Sequence, residues 1–135
     1  MDPREDMDEL VDYLLSFAEH QIRARGEFFP FAAAMTADGE VAAVAVDMGD
    51  DHPDPSDVID GLIEALRAAT DTRAVGICVD VRVEGPDGMT DAARAIIEHR
   101  DADPVAVFLP YRRKRLRGCS FGELFASPAD PLVYA

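Results

Sequence analysis

The sequence predicts an α+β domain, in which an antiparallel sheet of about six strands carries two helices on one face, in the order αββαββββ. Two stretches have apolar residues at the spacing of an amphipathic helix, and the rest of the chain is rich in short apolar runs separated by turn residues. The most compact arrangement of these elements places both helices over one face of an antiparallel sheet. The 135 residues fit one domain, 1–135.

The first helix is predicted over residues 2–25. Pro3 suits its first turn, acidic residues lie near the positive end of the helix dipole, and Arg23 and Arg25 lie near the negative end. Gly26 supplies the C-terminal stop. The apolar positions at helical spacing are Met7, Leu10, Val11, Leu14, Leu15, Phe17, Ala18 and Ile22.

A β-hairpin is predicted after this helix. Residues 27–36 and 40–48 are apolar runs, and the sequence Ala-Asp-Gly at 37–39 separates them. Asp-Gly between two such runs is a good short-range hairpin signal. Pro30 must lie near the start of a strand or on a sheet edge, where its missing N–H is tolerated.

The second helix is predicted from Pro55 to about residues 70–72. Asp54 suits the N-cap, and Pro55 suits the first helical position because its missing N–H would have no helical partner there. The apolar face of this helix consists of Val58, Ile59, Leu62, Ile63, Leu66 and Ala69.

Four strands are predicted in the rest of the chain. Residues 74–83 alternate between apolar residues and a second set that includes charged ones, as a half-buried strand does. Residues 90–100 fit both a helix and a strand. We favour the strand, because 101–104 has turn chemistry and 105–110 resembles a strand, so that a hairpin results. The last strand is predicted over 119–126.

The net charge of −14 is unevenly distributed. Residues 1–60 contain 16 acidic and 3 basic residues, residues 61–104 contain 9 and 5, and residues 105–135 contain 2 and 5. A chain this acidic repels phosphate backbones and anionic lipid, so nucleic acid is not expected as a partner. The acidic bias itself fits either the codon usage of a GC-rich genome or adaptation to salt.

No membrane segment and no signal peptide are predicted. The longest uncharged stretches, near 28–37 and 41–46, are too short to span a bilayer. Acidic residues occupy five of the first nine positions, where a signal peptide would have basic ones. We therefore expect a soluble, cytoplasmic protein.

Three motifs that would indicate catalysis or metal binding are incomplete. Residues 118–122 have the letters G-x-S-x-G, but all three histidines precede the serine and only 13 residues follow the motif. The acidic loop 47–57 lacks the spacing of a calcium loop, so no metal is expected. Cys78 and Cys119 form no C-x-x-C pair, and isolated cysteines are usually small buried hydrophobes. No cofactor is expected.

A basic run lies at 111–118 and contains all five basic residues of the final segment. In extended form it places positive charge on both faces, so it must face solvent. It is either a contact for phosphate or for an acidic partner, or a charged guard against edge-to-edge aggregation, or a patch that pairs with the acidic N-terminal half.

Four segments resemble an uncharacterised group of small bacterial proteins. They are 26–32 (GEFFPFA), 98–101 (EHRD), 110–113 (PYRR) and 121–125 (FGELF). The resemblance covers most of the chain, and the group has no assigned activity. It implies strands near Glu98 and Tyr111, and it assigns no site residue.

Two hypotheses on function follow. Because the charge is unevenly distributed and no nucleophile, base and orienting group converge, the first is a non-enzymatic module that binds another protein through its acidic helical half or an exposed strand edge. A neutralising partner of a basic toxin is one version. A further possibility is self-association, in which the basic segment 105–117 meets the acidic half of a second copy. The alternative is a small-ligand or hydrolytic site on the open face of the sheet. The candidate contact residues are Asp80, Arg82, Glu98, His99, Arg100, Tyr111, Arg112 and Arg113.

Overall fold

The computed structural model describes residues 2–46, 49, 53–113 and 118–134. No helix within these residues has the length and apolar character needed to cross a bilayer. The helices are α1 (Pro3–Arg25) and α2 (Pro55–Ala68). The strands are β1 (Phe31–Thr36), β2 (Val41–Val44), β3 (Thr72–Gly85), β4 (Gly88–His99), β5 (Ala102–Arg113), β6 (Cys119–Phe121) and β7 (Phe125–Pro128).

The described strands form one antiparallel sheet, which confirms the predicted α+β class. The order across the sheet is β2-β1-β3-β4-β5-β6, and β7 also pairs with β5. The longest pairings join β3 to β4 and β4 to β5. The ambiguous region 90–100 lies almost entirely in β4, as the hairpin argument predicted.

Helix α1 begins and ends where its sequence signals predict. The Asp2 carboxylate accepts the Arg4 N–H at 2.9 Å, and Pro3 occupies the first helical position. Gly26 ends the helix with a φ of 77°, and its N–H donates to the Ile22 carbonyl. The buried apolar residues that α1 packs on the sheet are Met7, Leu10, Leu14, Leu15, Ala18 and Ile22.

Helix α2 lies on the opposite face of the sheet from α1, so the prediction that both helices cover one face is wrong. Ala33 and Met35 of β1 belong to the apolar cluster under α1. Ala32 and Ala34, which alternate with them, belong to the cluster under α2. The sheet is therefore the middle layer between two helices.

The reason for this arrangement lies in β3. The apolar face that the alternation predicted contacts α2 and consists of Val75, Ile77 and Val79. The other face begins with Ala74, Gly76 and Cys78, which are small and lie fully or almost fully buried on the α1 side. A Cβ at Gly76 would lie 2.5 Å from Leu14 Cδ1, so the absence of a side chain there lets α1 approach the sheet closely.

The single strand predicted over 119–126 is two short strands. Strand β6 pairs with the end of β5, and β7 pairs with its middle. Between them the Gly122 N–H donates to the Pro110 carbonyl at 2.9 Å. Strand β5 is longer than the predicted 105–110 at both ends. The turn predicted over 101–104 is instead Arg100 and Asp101, since Ala102 already pairs with His99, and the other end of β5 pairs with β6. The end of the strand predicted over 40–48 falls at residues 47 and 48, outside the described residues.

The last described residues lie on the α2 face of the sheet. Leu132, Val133 and Tyr134 pack against the cluster that contains Leu62 and Leu66 of α2. Further back, Ala129 packs beside a smaller cluster formed by β4 and β5. We call residues 129–134 the C-terminal strap.

Candidate functional site

The structure does not bring the eight predicted contact residues into one cleft. One group lies where α1 ends, and a second lies at the β4–β5 turn, beside the N-terminal end of α1. A third lies on the opposite face of the sheet. Each location has its own hydrogen-bond partners, which define what these side chains do.

The first location is where α1 ends. The Tyr111 hydroxyl donates to Asp80 Oδ1 at 2.7 Å. Tyr111 is almost wholly buried, whereas Asp80 is exposed. Burial raises the pKa of Asp80, although the Tyr111 hydrogen bond and the Arg113 guanidinium oppose this rise. Burial and the Asp80 carboxylate raise the pKa of Tyr111 well above its usual range. At neutral pH the phenol is therefore a hydrogen-bond donor and not a base.

Arg82 belongs to the same surface. Its Nη1 lies 3.3 Å from Asp91 Oδ1, and these side chains are 63% and 41% exposed. The two residues are register partners on β3 and β4. Exposed ion pairs of this kind contribute less than about 1 kcal/mol, so this end of the sheet is a solvated polar surface.

His99 belongs to a buried polar cluster beside the start of α1. Its Nε2 lies 2.9 Å from Asp6 Oδ2, and its Nδ1 accepts the Asp101 N–H at 3.0 Å. Since Nδ1 is an acceptor, the neutral ring carries its proton on Nε2 and donates it to Asp6. Arg73 Nη2 donates to the other oxygen of Asp6 at 3.0 Å. Both ring nitrogens are thus engaged, and His99 fixes α1 to the sheet.

Glu98 faces the other side of the sheet, where it anchors the C-terminal strap. It is 3% exposed. Its carboxylate accepts the backbone N–H groups of Leu132, Val133 and Tyr134 at 2.9 to 3.1 Å. From α2, Arg67 donates to the Leu132 carbonyl at 2.9 and 2.6 Å. Glu98 is therefore a structural acceptor for three main-chain donors.

Arg100 holds the end of the same strap. Its Nε donates to the Thr72 carbonyl at 2.6 Å, and its guanidinium lies over the Tyr134 ring, 4.2 Å from the ring centre. The Tyr134 hydroxyl lies 2.7 Å from Thr72 Oγ1. Arg100, although exposed, is thus held by the Thr72 carbonyl and the Tyr134 ring.

Arg112 lines a shallow groove with a volume of about 380 Å³. The β3–β4 turn, the end of β5 and the segment 120–123 form its walls, and Tyr111 contributes to them. Asp80, Glu98 and His99 do not line this groove. The groove therefore does not assemble the predicted contact residues.

The two cysteines differ in burial, since Cys78 is buried and Cys119 is half-buried. Cys78 is fully buried, and burial raises the pKa of its thiol, so that the neutral form is favoured. The Cys119 thiol lies 3.5 Å from the Ile22 carbonyl at the end of α1. Ser120, the serine of the G-x-S-x-G sequence, lies in β6 opposite Arg112. A nucleophile elbow needs a strand followed by a turn and a helix, which this place in the fold does not provide.

Five residues of the acidic loop 47–57 lie outside the described residues, among them Asp47, Asp50, Asp51 and His52. Asp54 caps α2, as predicted, by accepting the N–H of the residue two positions on at 2.9 Å. Within the part of the chain that is described, no three His, Cys, Asp or Glu side chains are grouped so as to hold a metal ion.

Exposed aromatic side chains occur on α1 and on the segment that joins it to β1. We call Tyr13, Phe17, Phe29 and Phe31 the aromatic patch; the first three are 40%, 47% and 61% exposed. The Phe17 ring meets the Phe31 ring edge-on at 4.7 Å, and Phe31 in turn meets the buried Phe28 at 5.8 Å. Grouped exposed apolar side chains of this kind mark interaction sites on soluble proteins.

The sequence pattern places Phe17 among the apolar positions of α1, and for this reason it did not predict the aromatic patch. Phe17 is at helical spacing with the apolar residues, but the buried stripe runs through Leu10, Leu14 and Ala18. Phe17 lies at the edge of that stripe, and Tyr13 lies one turn before it. The Phe17 ring consequently lies against Phe31 of β1, and the Phe17 and Tyr13 side chains are both partly in solvent.

The surroundings of the aromatic patch are acidic. Residues 1–60, which include α1, β1 and β2, contain 16 acidic and 3 basic residues. Glu9 lies one turn before Tyr13, Glu27 precedes the phenylalanines, and Glu40 precedes β2; all three glutamates are exposed. The excess of acidic residues in this part of the chain favours a positively charged partner, with Arg23, Arg25 and Arg113 as the basic side chains near the start of the phenylalanine segment.

The α2 face has a second part, over β4 and β5, where no residue of α2 joins the apolar cluster. Arg94 lies there between its register partners Val79 and Phe108, and Val81 and Ile96 nearby are half-buried. The Arg94 Nε is buried and has no hydrogen-bond partner. We call this region, with Arg94 at its centre, the open face.

Comparison with known proteins gives no match at any of three levels: no family model, no curated protein and no solved structure matches the chain. The resemblance to a group of small bacterial proteins therefore stays a prediction, and functional inference rests on the site itself.

Proposed function

We propose that the protein is a non-enzymatic module that binds a basic protein partner at the aromatic patch. The observation that carries the proposal is that Phe17, which contacts Phe31, is exposed together with Tyr13 one turn earlier on α1, and that Phe29 of the adjoining segment is exposed too, all in the most acidic part of the chain. Aromatic residues are the usual anchors of protein interfaces, and complementary charge around them increases the association rate and excludes partners of the wrong sign.

The polar groups that would suit catalysis support a non-enzymatic role because they are engaged within the fold. His99 uses both ring nitrogens, Glu98 binds three backbone N–H groups, and Tyr111 donates to Asp80. A catalytic site needs a nucleophile or base that can reach a substrate. These side chains instead connect elements of the fold.

Affinity capture from the native host tests the proposal. The wild-type chain is compared with a Phe17→Ser, Phe29→Ser variant and with a Met89→Ser, Leu124→Ser control, because Met89 and Leu124 are 54% and 55% exposed outside the patch. We expect a stoichiometric basic protein with the wild type and the control, and loss of that protein with the patch variant. High salt should weaken the capture. If no basic protein is captured, or if both variants retain it equally, the proposal is wrong.

A second candidate function is the binding of a small carboxylate on the open face. The observation that favours it is the buried, unpaired Nε of Arg94 among apolar neighbours, since a buried donor without an acceptor is unfavourable. A carboxylate with an apolar body would satisfy the guanidinium and cover the surrounding valines.

Thermal unfolding with octanoate, benzoate and octanol as probes tests this second candidate. Octanoate or benzoate should stabilise the wild type and an Arg112→Met control but not an Arg94→Met variant, and octanol should have no effect. Equal stabilisation of both variants, or no stabilisation of the wild type, would exclude a carboxylate site at Arg94.

A further inference from the structure

We infer that the basic partner binds as an added strand at the free edge of β2, with alternate side chains directed to the aromatic patch. This inference rests on the proposed function and specifies the partner as an extended segment. Strand β2 is the first strand in the sheet order and, within the described residues, pairs only with β1. Strand addition to such an edge is a common mode of peptide recognition.

The hairpin register shows which backbone groups face outward. The Thr36 N–H donates to the Glu40 carbonyl at 2.8 Å, so these two residues form a hydrogen-bonded pair. Hydrogen-bonded and non-hydrogen-bonded pairs alternate along an antiparallel ladder. The next pair, Met35 and Val41, is therefore not hydrogen-bonded. Ala42 bonds to β1, and Ala43 again does not. Val41 and Ala43 therefore direct their N–H and C=O groups to the outer edge.

This edge has few of the features that usually prevent pairing. Residues 41–46 have the sequence VAAVAV, without a charge or a proline. Proteins normally protect sheet edges with charged residues, prolines, bulges or very short strands, and of these β2 has only its short length of 4 residues. Ala42 and Ala43 are exposed and small, so a second backbone can approach to ladder distance without a steric clash.

The opposite edge of the sheet is already covered by short strands. Strand β5 pairs with both β6 and β7, and β7 ends at Pro128, which lacks a ladder donor. Arg112 and Arg113 at the end of β5 add positive charge. The edge at β2 carries no charged residue itself but lies in the acidic part of the chain. It is therefore the edge that suits a basic strand.

The aromatic patch accounts for the side-chain preference of the added strand. Val41 pairs with Met35 of the cluster under α1, so Val41 and Ala43 lie on the face of the sheet that carries Phe17. A strand beside β2 would place every second side chain on this face. Lysine or arginine stems there would pack toward the aromatic rings near the Phe31 end of β1, while a basic side chain at the other end of the added strand would face Glu40.

Selection from a phage-displayed library of short linear peptides tests the inference. Immobilised wild type is compared with Ala43→Pro, which removes an outward N–H at a position where an edge strand tolerates proline, and with Ala43→Val, which retains the N–H. We expect the wild type to select peptides that alternate apolar with lysine or arginine residues. Those peptides should bind Ala43→Pro at least about tenfold more weakly and Ala43→Val about as well as the wild type.

Amide hydrogen exchange of the wild type provides an independent readout if Ala43→Pro does not fold. In the free chain, the amides of Val41 and Ala43 should exchange faster than those of Ala42 and Val44. A selected peptide should slow exchange at the first pair. Unchanged exchange at Val41 and Ala43 with the peptide bound would overturn strand addition.

The outcomes separate the two proposals. Peptides that Phe17→Ser weakens but Ala43→Pro does not would leave the aromatic patch as the binding site and exclude strand addition. If the library yields no basic peptide and affinity capture yields no basic protein, both the proposed function and the strand addition are wrong.

Discussion

Asp6, in the first turns of α1, and His99, the last residue of β4, share a buried hydrogen bond of 2.9 Å across 93 positions of sequence. Arg73 completes the cluster, since its Nη1 donates to the Ala37 carbonyl while its Nη2 contacts Asp6. A carboxylate this buried is stable only with such partners. The cluster therefore fixes the orientation of α1, and with it the position of the aromatic patch beside β1.

Asp6→Asn should destabilise the protein by about 2–3 kcal/mol. The amide is uncharged and has one acceptor oxygen, so it cannot replace both carboxylate oxygens that bind His99 and Arg73. Burial alone would raise the pKa of Asp6, but its bonds to His99 and Arg73 outweigh burial and hold it below the ordinary 3.8. The folded state thus releases the Asp6 proton more readily than the unfolded state. The stabilisation is complete above the unfolded value and is lost as pH falls through the folded one.

Urea unfolding of the wild type and Asp6→Asn over a pH series measures this difference. The gap in unfolding free energy between the two should be largest near neutral pH and should narrow as the pH falls below about 3.8. A gap that stays constant through this range would show that the carboxylate charge does not stabilise the fold.

Glu98→Gln should release the C-terminal strap. The substitution replaces one acceptor oxygen by an NH₂ group that faces main-chain donors, and the expected cost is about 1–3 kcal/mol. Amide exchange at Leu132, Val133 and Tyr134 should become faster. The matched control is Glu123→Gln, at an exposed position outside the strap. Equal protection of the strap in both variants would show that the Glu98 contacts are dispensable.

Gly76→Ala tests the close approach of α1 to β3. The new Cβ would lie 2.5 Å from Leu14 Cδ1 and 2.8 Å from Ile97 Cδ1, so an overpacking cost of about 1–3 kcal/mol is expected. In a double-mutant cycle with Leu14→Ala, the Gly76→Ala cost should fall, because the shortened residue 14 leaves room. Additive effects in urea unfolding would contradict this account.

The sequence was sufficient where the determining interactions are local. Asp2, Pro3 and Gly26 set the ends of α1 through contacts within a few residues. The strand over 90–100 follows from the turn chemistry of 101–104 and the strand-like run at 105–110, although the turn itself is only Arg100 and Asp101. In both cases neighbouring residues alone favour one structure.

The sequence was insufficient where residues far apart in the chain determine the structure. The small side chains of Ala74, Gly76 and Cys78 are compatible with a solvent-facing strand or with a close-packed helix, and only the position of α1 distinguishes these. The sequence analysis places both Glu98 and His99 among the candidate contacts on one face of the sheet, yet neighbouring strand residues face opposite sides. Their partners, the C-terminal strap and Asp6, lie 34 or more positions away.

Tyr111→Phe should change the acid and the alkaline behaviour of the protein together. Loss of the 2.7 Å hydrogen bond should cost about 0.5–1.5 kcal/mol and should raise the pKa of Asp80 further, since that bond opposes the effect of burial. Carboxyl-carbon NMR titration of Asp80 measures the second effect. An unchanged titration midpoint would show that the phenol does not stabilise the carboxylate.

At alkaline pH the argument concerns Tyr111 itself. Burial and Asp80 raise its pKa in the folded state, so the unfolded chain loses this proton first. The Tyr111 contribution to stability is present below the ordinary value of 10.0 and is lost as pH rises from there toward the folded value. In urea unfolding above that pH, Tyr111→Phe should lose stability less steeply than the wild type. Tyr134, whose pKa burial also raises, accounts for a decline that remains in the variant. Equal slopes in the two proteins would mean that the Tyr111 proton is not held by the fold.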